Sequence, residues 1–121
     1  MPGVSAVFLG SVVSYANDVK VAALGVDPTL LSRHGAVSEQ VTAAMAQGAC
    51  ARLGARLCLS VSGIAGPGGG TPDKPVGTIC FGLCLDGAVT TWTLRFPDLG
   101  REFLRERAAI ELFAAILRHV H

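Results

Sequence analysis

The sequence predicts an α/β fold, a three-layer sandwich with a mixed β-sheet and helices on its faces. Two observations carry that reading. Segments with period-two or continuous apolar character alternate with segments of helical period, in the order strand, two or three helices, strand, loop, hairpin, helix. The 121 residues also contain no linker and no internal repeat, so residues 1–121 form a single domain.

Each element has its own signal. Residues 6–15, rich in Val and Phe, suit a buried first strand. Asn17 is placed to cap a short helix that runs to about Leu24 and stops at Gly25. Asp27-Pro28 restarts a helical turn ending near His34-Gly35, because Asp caps well and Pro fits the first helical position. Ser38 opens the next helix with Glu39 in its first turn, and "RLG" at 52–54 closes it. "RLCLSVSG" (56–63) alternates as a strand does. "GTICFGLCL" and "AVTTWTLRF" form a hairpin about Asp86-Gly87, the pair that a type I′ turn favours. The final segment, from Arg101, is amphipathic, with Phe103, Ile110, Phe113, Leu117 and Val120 as its core stripe.

Bulk properties exclude several functions. Half the residues are hydrophobic, so the chain affords a core. The formal net charge of +1, with no basic run, argues against nucleic acid as a partner. No apolar run spans a membrane, and "MPGVSAVFLG" lacks the basic start of a signal peptide. Cys50, Cys58, Cys80 and Cys84 form no C-x-x-C pair and lie far in sequence from the histidines, so no zinc site is expected. Cys58, Cys80 and Cys84 sit in apolar runs, as buried free thiols of a cytoplasmic protein do.

The candidate chemistry lies at two places. "GIAGPGGGTPDKPVG" (63–77) is a loop by its Gly and Pro content. It is not a Walker A loop, because Pro75 follows Lys74, and it is not a dinucleotide fingerprint, because it leads to a strand. Its backbone N–H groups either cradle an anion or oxyanion, or simply line a surface loop. Ser62, at the end of the strand before it, either faces a ligand or satisfies backbone groups. In the second place Ser5, Tyr15 and Lys20 supply a hydroxyl, a phenol and an amine. A serine needs a base to become a nucleophile. A desolvated lysine near a helix N-terminus, where a positive charge is disfavoured, is one. That spacing alone is also met by chance.

Longer motifs sharpen the reading. "SAVFLGSVVSYANDVKVAALGV", "HGAVSEQV", "VSGIAGPGGGTPDKPVGT" and "REFLRERA" occur in this order, and together they resemble the C-terminal domain of the CinA (competence/damage-inducible) family. The resemblance covers essentially the whole chain. It implies hydrolysis of the carboxamide of nicotinamide mononucleotide, giving nicotinic acid mononucleotide and ammonia, with no metal or cofactor. On the family pattern, Ser5 matches the nucleophile, and Tyr15 and Lys20 match the Tyr-x-Asn-x-x-Lys relay and base. Asn17, Ser62, Gly63, Gly66 and Arg101 match substrate-binding positions, with Arg101 a partner for the phosphate. Relatives carry a helix, a strand and a Glu-Ser-Cys-Thr-Gly-Gly loop ahead of the Ser5 region, so the resemblance implies a domain without its N-terminal part. The same fold without turnover, as a nucleotide-binding or oligomerising relic, is the alternative. A homodimer is expected, because a sheet short of a strand leaves an edge open to a second copy.

Overall fold

The computed structural model describes residues 3–119. Among these residues are four α-helices: α1 (Asn17–Leu24), α2 (Pro28–His34), α3 (Glu39–Leu53) and α4 (Arg101–His119). They surround one sheet of three strands, β1 (Leu57–Gly63), β2 (Thr78–Leu85) and β3 (Ala88–Arg95), ordered β1-β2-β3. The α/β class therefore holds, with α3 on one face of the sheet and α4 on the other. Both strand pairings are antiparallel, so the sheet of the described residues is not the mixed one expected.

The difference arises at the N-terminus. Residues 6–15 form no strand: a 3-10 turn spans Val4–Ala6, and the chain then runs without regular structure to Ala16. Phe8 N donates to the Val4 carbonyl at 2.7 Å, which turns the chain away from an extended path. Val7 is 79% exposed, and Phe8, Leu9 and Val13 are exposed as well. Val and Phe favour a strand only where a neighbouring strand pairs their backbone, and no described strand does so here. Of the large apolar residues in this segment Val12 turns inward, packing against the cluster of Leu24, Val26, Val41 and Met45.

The other local signals act as their chemistry requires. Asp27 accepts from Thr29 N at 2.8 Å with Pro28 following, and Ser38 accepts from Val41 N at 3.2 Å, so both caps form. Ala16, not Asn17, occupies the cap position of α1; Asn17 is the first helical residue and no side chain caps that end. Asp86 and Gly87 take φ of 50° and 85°, the left-handed values that a type I′ turn needs at both central residues. Arg56 clasps the Asp86 carboxylate at 2.8 Å across the same end of the sheet.

Strand β2 is covered on both faces. Ile79 and Phe81 pack with Leu104 of α4, and Phe81 stacks on Trp92 of β3 at 5.3 Å. The alternate residues Cys80, Gly82 and Cys84 face α3. Gly82 is required there: a Cβ would lie 2.6 Å from the Thr42 carbonyl oxygen and 2.5 Å from Ser60 Oγ. Ser60 Oγ in turn donates to that carbonyl.

Of the stripe expected for α4, Phe103 alone among the described residues packs toward the core. Leu104 and Ala115 are buried, and Phe103, Ala108 and Leu112 pack toward the sheet. Ile110, Phe113 and Leu117 lie on the opposite face, exposed. Val120 lies outside the described residues. The sheet selects the inner face because Trp92 Nε1 needs an acceptor, which Glu111 provides at 3.0 Å. No described helix is long and apolar enough to cross a membrane.

Helices α1 and α3 meet at Gly48, where a Cβ would stand 1.8 Å from the Leu24 carbonyl oxygen. Gly48→Ala is expected to lower stability by about 1–3 kcal/mol, toward the upper end because the opposing atom is backbone. Gly68→Ala, with open space around it, is expected to stay within about 0.5 kcal/mol of wild type. Urea midpoints check this, and matching midpoints for the two variants would contradict the close crossing.

Candidate active site

Lys20 lies in the first half of α1, one turn before Leu24, whose side chain anchors that helix in the core. This spacing carries the lysine stem inward, and the residue is only 5% exposed. Its ammonium donates to the Ser14 carbonyl. No acidic side chain forms a salt bridge with it among the described residues. Burial without a counter-charge pushes the Lys20 pKa below its usual value.

The two other members of the predicted set are differently placed. Ser5 is exposed within the Val4–Ala6 turn, and Tyr15 is 81% exposed. Asn17 is exposed at the start of α1. No hydrogen bond joins Ser5, Tyr15 and Lys20 among the described residues; the lysine is held by a backbone carbonyl instead. The segment from Ser5 to Tyr15 thus forms an open ledge leading to one buried amine, where the sequence suggested a rigid strand.

The second group is assembled at the end of β1. Ser62, half-buried, lies opposite Cys80, and Gly63 lies opposite Ile79. The loop that follows folds back on itself. Ile64 N donates to the Thr78 carbonyl at 3.0 Å, Gly77 N to the Ile64 carbonyl at 2.9 Å, and Thr71 N to the Lys74 carbonyl at 2.9 Å. Gly66 has a φ of 74°, and a Cβ there would sit 2.8 Å from Val76 Cγ1, so a side chain would open the loop. Arg101 Nη1 donates to the Gly66 carbonyl at 3.5 Å, a long bond that sets the head of α4 against the loop. Gly66 and Arg101 are therefore brought together, and the exposed guanidinium keeps most of its donors open to solvent.

A neighbouring feature went unread in the sequence. A polar cleft of about 430 Å³ lies where α2, α3 and the loop meet, lined by His34, Ser38, Glu39, Lys74, Thr93 and Arg95 among others. None of the predicted site residues lines it. Lys74 Nζ donates to the His34 carbonyl at 2.6 Å and Arg95 Nη2 to the Asp73 carbonyl at 2.8 Å. Glu39 accepts from the Thr91 and Thr93 hydroxyls at 2.8 and 2.6 Å. The cleft's charges are thus used to fasten the loop and β3 to the ends of α2 and α3. The only sequence signal was a lysine between Asp73 and Pro75 in a Gly-rich loop.

The cysteines are all free and three are buried. Cys58 and Cys84 are direct cross-strand partners, and Cys50 Sγ reaches the Cys84 carbonyl at 3.7 Å. Burial pushes the Cys50 and Cys84 thiols up, which disfavours the reactive thiolate. No three His, Cys, Asp or Glu side chains among the described residues are grouped to hold a metal ion.

The burial of Lys20 has a consequence for stability. Its folded pKa lies below 10.5, so between the two values the unfolded chain binds more protons and stability rises with pH. Below the folded pKa the full cost of burying the charge is present; above 10.5 it is gone. The stability of Lys20→Met relative to wild type is expected to be most favourable near neutral pH and to fall as pH rises toward about 10. Denaturant unfolding across that range checks it, and a pH-independent difference would contradict the assignment.

Comparison with known proteins accords with this architecture. The family pattern described as "CinA C-terminal domain" matches residues 1–120. A CinA-like protein of Mycobacterium marinum is 54% identical over 108 residues, covering 88% of this chain and 25% of the relative. A putative competence-damage inducible protein of Symbiobacterium thermophilum is 48% identical, covering 99% of this chain and 30% of the relative. The chain thus spans under a third of the length of these relatives. Among solved structures, the competence/damage inducible protein CihA from Agrobacterium tumefaciens superposes with a TM-score of 0.77 at 40% identity, covering 85% of this chain and 65% of that one. A CinA superfamily protein from Enterobacter cloacae gives 0.85 at 30% identity, covering 91% and 64%. A match that runs from the Ser5 turn through the Gly-rich loop to the last helix makes this chain a member of the CinA C-terminal domain family.

Proposed function

We propose that this domain hydrolyses the carboxamide of nicotinamide mononucleotide, releasing nicotinic acid mononucleotide and ammonia. The observation that carries the reading is the buried Lys20, which has no ion-pair partner among the described residues and whose pKa burial lowers, beside the segment bearing Ser5 and Tyr15. Family membership supports the same assignment. The four free cysteines suit a reducing cytoplasm as the place of the reaction.

The chemistry is acyl transfer. The neutral Lys20 amine takes the Ser5 hydroxyl proton, directly or through Tyr15, as the Ser5 oxygen bonds to the amide carbon. Backbone N–H groups hold the oxyanion. The C–N bond breaks as Lys20 returns the proton to the leaving nitrogen, which departs as ammonia. Water then attacks the seryl ester, giving the acid and free Ser5. Ser62 and the loop with Gly63 and Gly66 shape the ribose-nicotinamide pocket, Asn17 is a further substrate-binding residue, and Arg101 meets the phosphate with the donors left free by its bond to Gly66. Closing the set requires Tyr15 and Ser5 to move in from the surface when substrate binds.

That requirement favours one second reading, a nucleotide-binding domain without turnover, because Tyr15 is 81% exposed and unbonded to Lys20. Ammonia release separates the two. Lys20→Ala is expected to lower kcat by about 10²–10⁴-fold, the range for loss of a general base. Ser5→Ala is expected to abolish the acyl-enzyme route. Equal ammonia release by wild type and Ser5→Ala would remove the catalytic assignment. Thermal stabilisation by the nucleotide without turnover would establish the second reading.

The pH profile gives a further check. Activity at saturating substrate is expected to rise with pH through the lowered Lys20 pKa, since the neutral amine is the working form. A rate that falls over the same range would contradict Lys20 as the base.

A further inference from the structure

Lys74 is one of two lysines in the chain, and the proposed chemistry uses only the other. Its ammonium forms no ion pair among the described residues and donates to the His34 carbonyl at 2.6 Å. His34 is the last residue of α2, where a carbonyl has no intrahelical donor, so the bond satisfies a helix end as well as holding the loop. Two further bonds set the lysine backbone: Thr71 N donates to the Lys74 carbonyl at 2.9 Å, and Lys74 N to Thr71 Oγ1 at 3.0 Å. The base of the loop closes separately, through Ile64 with Thr78 and Gly77. Pairing of β1 with β2 therefore does not need the lysine. What Lys74 fixes is the placement of the returning arm of the loop.

That arm reaches the outgoing one through Val76, two residues on and past the fixed φ of Pro75. A Cβ on Gly66 would lie 2.8 Å from Val76 Cγ1, and one on Gly70 2.8 Å from Val76 N. Gly66 in turn gives its carbonyl to Arg101. A continuous path of contacts thus runs from the end of α2 through Lys74, Val76 and Gly66 to the head of α4. Val76 packs with Ile79, Phe81 and Leu104 on the α4 side of the sheet, whereas the cleft at Lys74 opens on the α3 side. The arm crosses the end of the sheet and ties both helical layers to one loop. We propose that Lys74 is a positioning residue for the nucleotide: its latch to α2 places Gly66, and with it the Arg101 guanidinium, where they meet the substrate. The inference rests on the reaction proposed above. Lys74 acts there through Val76 and Gly66 and touches no reacting atom. A loop that holds the nucleotide alike before and during the chemical step contributes to binding more than to turnover, so losing the latch raises KM.

Steady-state kinetics with nicotinamide mononucleotide test this. Lys74→Met is expected to raise KM about tenfold, with kcat within about twofold of wild type. Lys74→Arg keeps a donor for the His34 carbonyl and is expected to stay within about threefold of the wild-type KM. Arg56→Met, which breaks an ion pair at the opposite end of the sheet, is expected to leave both constants unchanged. Lys74→Met and Arg101→Gln are expected to be non-additive in KM by at least about threefold, because both act through Gly66. Hydrogen exchange reads the latch with no nucleotide present: the Thr71 amide is expected to exchange at least about tenfold faster in Lys74→Met. Far-UV circular dichroism confirms that each variant is folded; should Lys74→Met not fold, Lys74→Ala carries the same tests. A wild-type KM in Lys74→Met, a loss confined to kcat, or unchanged Thr71 exchange would overturn the proposal. A wild-type chain that releases no ammonia would remove the proposed reaction instead. Calorimetric affinity for the nucleotide then replaces KM, with the same tenfold change expected at about the same precision. Absence of binding as well would overturn the positioning role.

Discussion

The close approach of α3 to the middle of β2 is the contact on which the rest of the structure depends. Gly82 offers no side chain to that face, and the Thr42 carbonyl and Ser60 hydroxyl occupy the space a Cβ would take. With α3 this near, β2 is buried on both faces and its far side is free to meet α4 through Phe81 and Leu104. Phe81 and Leu104 are each fully buried, about 1.5–3 kcal/mol of transfer free energy apiece. The buried thiols beneath α3 belong to the same layer. They fill it as small apolar groups, and burial pushes the Cys84 thiol up.

The two ends of α3 do different work. Its N-terminal end gathers the polar fastening: the Ser38 cap, the Glu39 carboxylate held by two threonine hydroxyls, and Lys74 reaching the carbonyl at the end of α2. These bonds shape the Gly-rich loop before any ligand is considered, so the loop is a built element. Near its other end, Gly48 admits the C-terminus of α1, and Leu53 faces the N-terminal segment at Gly10. That contact leaves Lys20 buried on α1 while the chain that carries Ser5 and Tyr15 stays open. The domain therefore sets one buried amine beside a segment that stays open to solvent.

Most of the local architecture was legible in the residues because it rests on local chemistry. The Asp27 and Ser38 caps, the Gly25 and Gly54 stops and the Asp86-Gly87 turn need only their immediate neighbours to take effect. The site was partly legible for the same reason. Lys20 was reached from its place near a helix start and from the Tyr-x-Asn-x-x-Lys pattern, and the loop from its glycines and prolines. The cleft around Lys74, Arg95 and Glu39 was not, since its residues come from α2, α3, the Gly-rich loop, β2 and β3, which only the folded chain brings side by side.

Sequence by itself determined the α/β class, the hairpin, the loop and the family, all of which reside in short-range pattern or in ordered motifs. Tertiary structure alone decided two matters. Residues 6–15 have strand composition, but a strand exists only where another offers its backbone, and no described strand pairs with them. Helix α4 has two apolar faces, and periodicity ranks them by hydrophobicity, which favours Ile110, Phe113 and Leu117. The sheet chose the other face, because the small Ala108 and Ala115 allow close approach and Glu111 satisfies the Trp92 indole.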